Sequence, residues 1–225
     1  MNRNQLDFVM NDLRRRYLPY KQHHTDTALG KISQESEDPF KVLISTILSQ
    51  RTRDEMTEKA SRQLFDEFPD AKSMAKARVK DIERLIRPVG FYAHKAAMVR
   101  QVSRIIMAEH GGEVPADYDD LLKLPQVGPK TANCVLVYGF GIPRIPVDTH
   151  VHRISNRLGL VRTETPEKTE EALMKSVPEA YWIDLNGILV RFGQSICRPI
   201  KPRCGECSFT SFCRFFRSTA RKRGH

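Results

Sequence analysis

Apolar residues recur at helical spacing along almost the whole chain, and no convincing two-residue alternation interrupts them. Leu6, Val9, Met10 and Leu13 make one stripe within residues 1–18. Residues 19–37 are polar and charged without a period and read as a connector. Asp38-Pro39 then supplies a helix start, a capping acid followed by a first-position proline. The segment PFKVLISTILSQ behind it is apolar almost all round, as a core helix must be. Amphipathic helices are expected through DEMTEKASRQLFDEF, DAKSMAKA and VKDIERLIRPV. A longer one is expected through GFYAHKAAMVRQVSRIIMAEHGG, with Ala97, Val99, Val102, Ile105 and Ile106 as its apolar positions. The short helix ADYDDLLKL follows Val114-Pro115, and further helices fall at about 151–159, 166–177 and 181–192. Thr165 caps the second of these three and Pro166 opens it. The predicted fold class is all-α.

Between ADYDDLLKL and the apolar segment KTANCVLVYGF lies PQVGP, too short for anything but a turn. Gly128 is predicted to take the positive φ at its tip, and Pro129 to start the new helix. Two helices joined so closely form a helix–hairpin–helix. The amides at the second helix's start then point outward, where a phosphate can sit. Lys130 falls in that helix's first turn, where the dipole opposes a cation and a stability-driven sequence would place an acid. A lysine there can pair a phosphate or serve as an amine nucleophile, because a positive dipole and desolvation both favour the neutral amine. Asp148 follows eighteen residues later in PVDTH. It reads either as a cap for VHRISNRLGL, shared with Thr149, or as a working carboxylate. His150 reads as structural.

The chain's 225 residues suffice for one large domain or two lobes, and 40% hydrophobic content argues for a folded core. A formal charge of +10 points to a polyanionic partner. No run of eighteen apolar residues and no signal-like stretch after Met1 is present, so a soluble intracellular protein facing nucleic acid is expected, cytoplasmic and nucleoid-associated. Among five cysteines, Cys134 stands alone in an apolar helix and reads as a small buried hydrophobe. Cys197, Cys204, Cys207 and Cys213 form C-x6-C-x2-C-x5-C, four thiolates able to hold zinc or an iron–sulfur cluster. Spacing alone leaves that choice open. Arg198, Lys201, Arg203 and Arg214 surround them, and the RKR tail at 221–223 reads as an electrostatic supplement.

The run LPQVGPKTAN…VDTHVHR closely resembles the endonuclease III family of helix–hairpin–helix DNA glycosylases, whose motif is L-P-G-V-G-x-K-T-A followed by V-D-T-H. The first hairpin glycine is Gln126 here, while Gly128, Lys130 and Asp148 match. The likeness runs from about Asp38 to Cys213 and includes G-[LF]-Y-x-x-K-A at Gly90 and the cysteine spacing. The resemblance implies that Lys130 is the nucleophile and Asp148 the essential carboxylate. It implies DNA contacts from Val127, Gly128 and Thr131 of the hairpin, a wedge at Phe91 and a gap-filling residue at Gln50 or Arg51. The four cysteines would hold a [4Fe–4S] cluster. The implied architecture is a six-helix barrel over 32–142 and a cluster lobe from 1–31 and 143–225, with Lys130 facing Asp148 across a cleft. The implied function is excision of oxidised pyrimidines from duplex DNA with nicking of the abasic site, by a monomer. A monofunctional mismatch glycosylase of the same fold would lack the hairpin lysine. A non-catalytic DNA-binding module would use Lys130 only for phosphate and Asp148 only as a cap.

Overall fold

The structure, a computed structural model, describes residues 1–18, 27–36 and 38–223, and all regular structure among them is helical. Helix α1 spans Arg3–Tyr17 and buries Leu6, Val9, Met10 and Leu13, the stripe read from the sequence. Eight helices follow within the unit Asp26–Ile142. They are α2 (Ala28–Ser36), α3 (Pro39–Ser49), α4 (Asp54–Glu67), α5 (Ala71–Lys76), α6 (Val79–Leu85), α7 (Tyr92–Glu109), α8 (Tyr118–Lys123) and α9 (Pro129–Phe140). Helices α10 (Thr149–Leu158), α11 (Pro166–Ser176), α12 (Trp182–Ser195) and α13 (Arg214–Arg223) belong with α1 to a second unit, Met1–Thr25 with Pro143–His225.

Helix α3 is the axis of the first unit. Asp38 caps it, its Oδ1 accepting the Phe40 amide at 2.9 Å, and residues 42–48 are buried all round the helix. Leu43, Ile44, Ile47 and Leu48 pack with Leu64, Ile82, Val99, Ile106 and Leu136 in one apolar cluster. Gly139 lets the end of α9 close on the start of α3, since a Cβ there would lie 3.0 Å from the Pro39 Cα. The hairpin's second helix is thereby fixed to the core.

Two expectations are corrected. The segment expected as a connector contains α2: Ala28, Leu29 and Ile32 are buried, and Ser33 Oγ donates to the Tyr138 carbonyl at 2.6 Å. Nine residues give too few turns for a periodic signal, and packing decides the helix. Residues 19–26 and 37 of that connector lie outside the described residues. The arginines at 14–16 read from the sequence as a solvated face; Arg15 and Arg16 are exposed, as that reading has it, and Arg14 departs from it. Arg14 pairs with buried Asp184 at 2.5 Å and lies 4.5 Å over the Tyr181 ring, while Arg15 and Arg16 both reach buried Asp12. A buried carboxylate needs such partners, and the sequence gives no hint of which cation it recruits.

The second unit has its own apolar cluster, in which Ile154, Leu158, Ile188, Leu189 and Phe192 pack with Leu13 and Phe209. Thr165 caps α11 through the Lys168 amide, as expected. Cys134 is fully buried in α9.

Candidate nucleic-acid interface and metal centre

Helix α8 ends at Lys123 and α9 begins at Pro129, so the hairpin spans five residues. Its geometry differs from the expected one. Gly128 is extended, with φ −98° and ψ −178°, and the positive φ of the turn (64°) falls on Gln126. The left-handed turn therefore sits at the family's first glycine position, where this chain carries a side chain at a steric cost. Gly128 is open in another way: a Cβ built on it meets nothing within 4 Å. A bare, exposed backbone at the head of α9 suits close approach of a phosphate.

Val127 and Thr131 are buried, so their side chains hold the turn instead of reaching outward. The Val127 amide is spent on the Leu124 carbonyl at 3.1 Å, and Pro129 has no N–H. Lys130 is the second residue of α9 and half-buried. The expected contact surface thus contracts to the backbone at Gly128 and the first turn of α9.

The same unit gathers the expected gap-filling and wedge residues beside the hairpin. Gln50 caps the end of α3, and its Nε2 donates to the Gln126 carbonyl at 2.9 Å. Arg51 is exposed, with its guanidinium 6.0 Å from the Phe91 ring centroid. Phe91 is 64% exposed and so does not pack under Tyr92. Lys95 is the lysine of the G-[LF]-Y-x-x-K-A motif, but sequence reasoning gave it no role. It is 5% exposed, and its Nζ donates to the Leu48 carbonyl, the Gln50 carbonyl and Thr52 Oγ1 at 2.7, 2.6 and 3.0 Å. The available signal was a lysine on the buried face of a helix, four residues after Phe91.

In the second unit Asp148 caps α10, its Oδ1 accepting the His150 and Val151 amides at 2.8 Å each. Both bonds fall on one oxygen, so capping leaves Oδ2 uncommitted to the helix. His150 Nδ1 lies 3.1 Å from Arg153 Nη2.

Cys197, Cys204, Cys207 and Cys213 line one small hollow, walled by Leu158, Phe192, Ile196 and Phe215. Burial pushes the Cys207 and Cys213 thiols up, and metal binding would reverse this by favouring thiolate. Among the described residues no three or more His, Cys, Asp or Glu side chains converge tightly enough to hold one metal ion. Four thiols lining one hollow are the donor set that zinc or an iron–sulfur cluster takes. Arg153 and Arg157, one turn apart on α10, brace this loop. Arg153 Nη2 donates to the Cys197 carbonyl at 3.0 Å, and Arg157 to the Arg198 and Pro199 carbonyls at 2.7 and 2.8 Å. Neither was singled out from the sequence, though their i, i+4 spacing in HRISNR was visible. Arg198, Lys201, Arg203 and Arg214 are exposed, and the side chains of the RKR tail lie outside the described residues.

A helix–hairpin–helix with a lysine at the head of its second helix, next to two exposed turns, is the arrangement expected of a base-excision DNA repair protein. Residues 44–179 match the HhH-GPD superfamily of base excision DNA repair proteins. The chain is 53% identical to an endonuclease III of Thermotoga maritima over 185 residues, 82% of this chain and 87% of that one. It also superposes on the structure of a trapped endonuclease III–DNA covalent intermediate with a TM-score of 0.84, at 29% identity, covering 98% and 99% of the two chains. A thermostable thymine-DNA glycosylase gives a TM-score of 0.82 at 23% identity, over 96% and 98%, and this likeness shows the fold alone. The chain belongs to the HhH-GPD superfamily, and within it to the endonuclease III family of DNA glycosylases with abasic-site lyase activity.

Proposed function

We propose that this chain excises oxidised pyrimidines from duplex DNA and nicks the resulting abasic site, with Lys130 as nucleophile and Asp148 as its partner carboxylate. The observation that carries the reading is Lys130 itself, second in α9 and directly behind the bare Gly128 backbone. An amine held there lies next to the phosphate grip and so next to the sugar of the gripped strand.

The backbone of Gly128 and the first turn of α9 bind a phosphate. Arg51 and Phe91 enter the stack, and the damaged nucleotide leaves it. Gln50, already tied to the hairpin carbonyl, supports Arg51 as the gap-filling side chain. The neutral Lys130 Nζ attacks C1′; the C1′–N bond breaks, and the base leaves with the electron pair and takes up a proton. Asp148 stabilises the positive charge on the sugar through Oδ2 and accepts the proton shed by Lys130. Ring opening gives the Schiff base, which acidifies the C2′ proton. Its loss expels the 3′ phosphate, and water then frees Lys130.

The cysteines are proposed to hold a [4Fe–4S] cluster, with Arg153 and Arg157 fixing the loop that carries the basic side chains. When bound, the cluster would supply a rigid anchor for that loop. The protein is taken to work as a monomer in the cytoplasm, on nucleoid DNA; among the described residues no helix is long and apolar enough to cross a membrane.

The test is borohydride trapping on duplex DNA carrying thymine glycol, with an abasic duplex alongside. Wild-type protein is expected to form an adduct on both and Lys130→Ala on neither, with most DNA affinity retained. Trapping that persists in Lys130→Ala would refute the nucleophile. Base release without nicking would favour a mismatch glycosylase, and binding without any reaction a non-catalytic module.

A further inference from the structure

Four non-glycine residues among those described have positive φ, and three of them meet at the probing edge of the first unit: Arg51 at 53°, Phe91 at 58° and Gln126 at 64°. A bulky residue such as Phe rarely adopts this region, which costs roughly 1–2 kcal/mol per residue. Strain of this kind persists only where neighbouring structure enforces it. What enforces it here is visible. Thr52 Oγ1 accepts the Gly90 amide at 3.2 Å, which ties the Phe91 turn to the Arg51 turn. Glycine at 90 suits this approach, since a Cβ would lie a tight 3.1 Å from the Arg51 carbonyl oxygen. Lys95 Nζ then donates to that same Oγ1, to the Gln50 carbonyl between the two turns and the core, and to the Leu48 carbonyl at the end of α3. Gln50 in turn reaches the Gln126 carbonyl through its side chain. One ammonium, all three of its donors in use, lies at the root of both probing turns and one bond from the hairpin.

Stability alone gives a poor reason for that ammonium. Burying a charge is expensive, and a well-packed apolar side chain of similar length often serves a core as well or better. We propose that Lys95 is a positioning residue for base extrusion: by bonding the Gln50 carbonyl and Thr52 Oγ1 it holds the Arg51 and Phe91 turns in the strained pair of conformations that presents both side chains to the duplex. Lys95 touches no substrate and acts through those two turns. The inference rests on the function proposed above, because it gives Arg51 and Phe91 work on DNA.

Lys95→Met keeps the length and removes the three donors, and Thr52→Val removes the shared hydroxyl with little change of shape. Each is compared with wild type in single-turnover base release from two duplexes. In one, thymine glycol is fully paired; in the other, it faces a one-nucleotide gap, so that little stacking and no pairing oppose extrusion. Hydrogen exchange at residues 50–52 and 90–92 is measured in parallel. The expected result is a loss of about 10²-fold on the paired duplex, the scale of a misplaced positioning group. On the gapped duplex the loss should stay within about 3-fold, and exchange should rise at the two turns alone. Equal losses on both duplexes, no loss on either, or unchanged exchange at the turns would overturn the proposal. If Lys95→Met does not fold, Thr52→Val carries the same comparison. If wild-type protein releases base from neither duplex, the proposed function fails. Exchange then decides for Lys95: a rise confined to the two turns supports it, and no rise or a rise throughout the unit overturns it.

Discussion

Gln126 and Gly128 show how a single residue can meet a requirement one position and miss it at the next. The left-handed backbone of the hairpin falls on Gln126 and the extended backbone on Gly128. Gln126→Gly is therefore expected to stabilise the protein by about 1 kcal/mol, the cost of the Cβ in that region, as a rise in thermal midpoint. Gly128→Ala should leave stability within about 0.5 kcal/mol, because nothing lies within 4 Å of the added Cβ. It should nonetheless weaken binding to abasic duplex, since the methyl group occupies the phosphate's approach; unchanged affinity in a filter-binding titration would move the phosphate elsewhere. Lys95 carries a pH signature. Burial pulls its ammonium from 10.5 down to about 8. Between those values the unfolded chain keeps a proton that the folded one has released, so raising pH through the window favours the folded form at this position. The unfolding free energy of wild type relative to Lys95→Met should then increase from pH 8 to 10.5, as denaturant titrations across that range would show. A flat difference would mean that its three oxygen acceptors hold the proton on.

At the scale of elements, the packing partners matter more than the periodicities. Helix α2 was hidden because a nine-residue helix in a polar segment is stabilised by what it lies against, here the Tyr138 carbonyl and the buried face of α3. Arg14 looked like solvent-facing charge, as Arg15 and Arg16 are, because its Asp184 partner is 170 residues away in the chain. Arg14→Met should cost about 2 kcal/mol, less than for a fully buried pair because the Arg14 side chain is 29% exposed, and the readout is chemical denaturation. On α10, Arg157 donates to the carbonyls behind Cys197 and lies 4.3 Å over the Phe215 ring. Arg157→Ala is expected to leave helix content unchanged by circular dichroism while lowering the iron and sulfide retained on purification. Full retention of both would remove that bracing role.

The whole molecule is a +10 chain, and that charge governs how it meets DNA at a distance. If the exposed basic side chains neutralise several phosphates, affinity for undamaged duplex should fall by at least about 10³-fold between roughly 50 and 200 mM salt. A shallow dependence would leave the charge without a nucleic-acid role. The same charge said nothing of how the chain divides. The unit Asp26–Ile142 holds the hairpin, Lys95 and the probing turns, while Asp148 and the four cysteines lie in the unit built from both ends of the chain.

The all-α class, the hairpin, the capping roles of Asp38, Thr165 and Asp148, and the set of four cysteines were legible in residue order. Each depends on neighbours a few positions apart, within reach of helical period, cap chemistry and motif spacing. Folding decided the rest: which residue of the hairpin turns left-handed, that Val127 and Thr131 face inward, and that Arg14 and Arg157 serve partners far along the chain. It also decided that Lys95, visible in the sequence only as the lysine of a motif, ends up buried under the two turns proposed to open DNA. The physical reason is the same in each case. Backbone strain, burial and ion pairing are set by contacts between distant segments, and no local pattern records them.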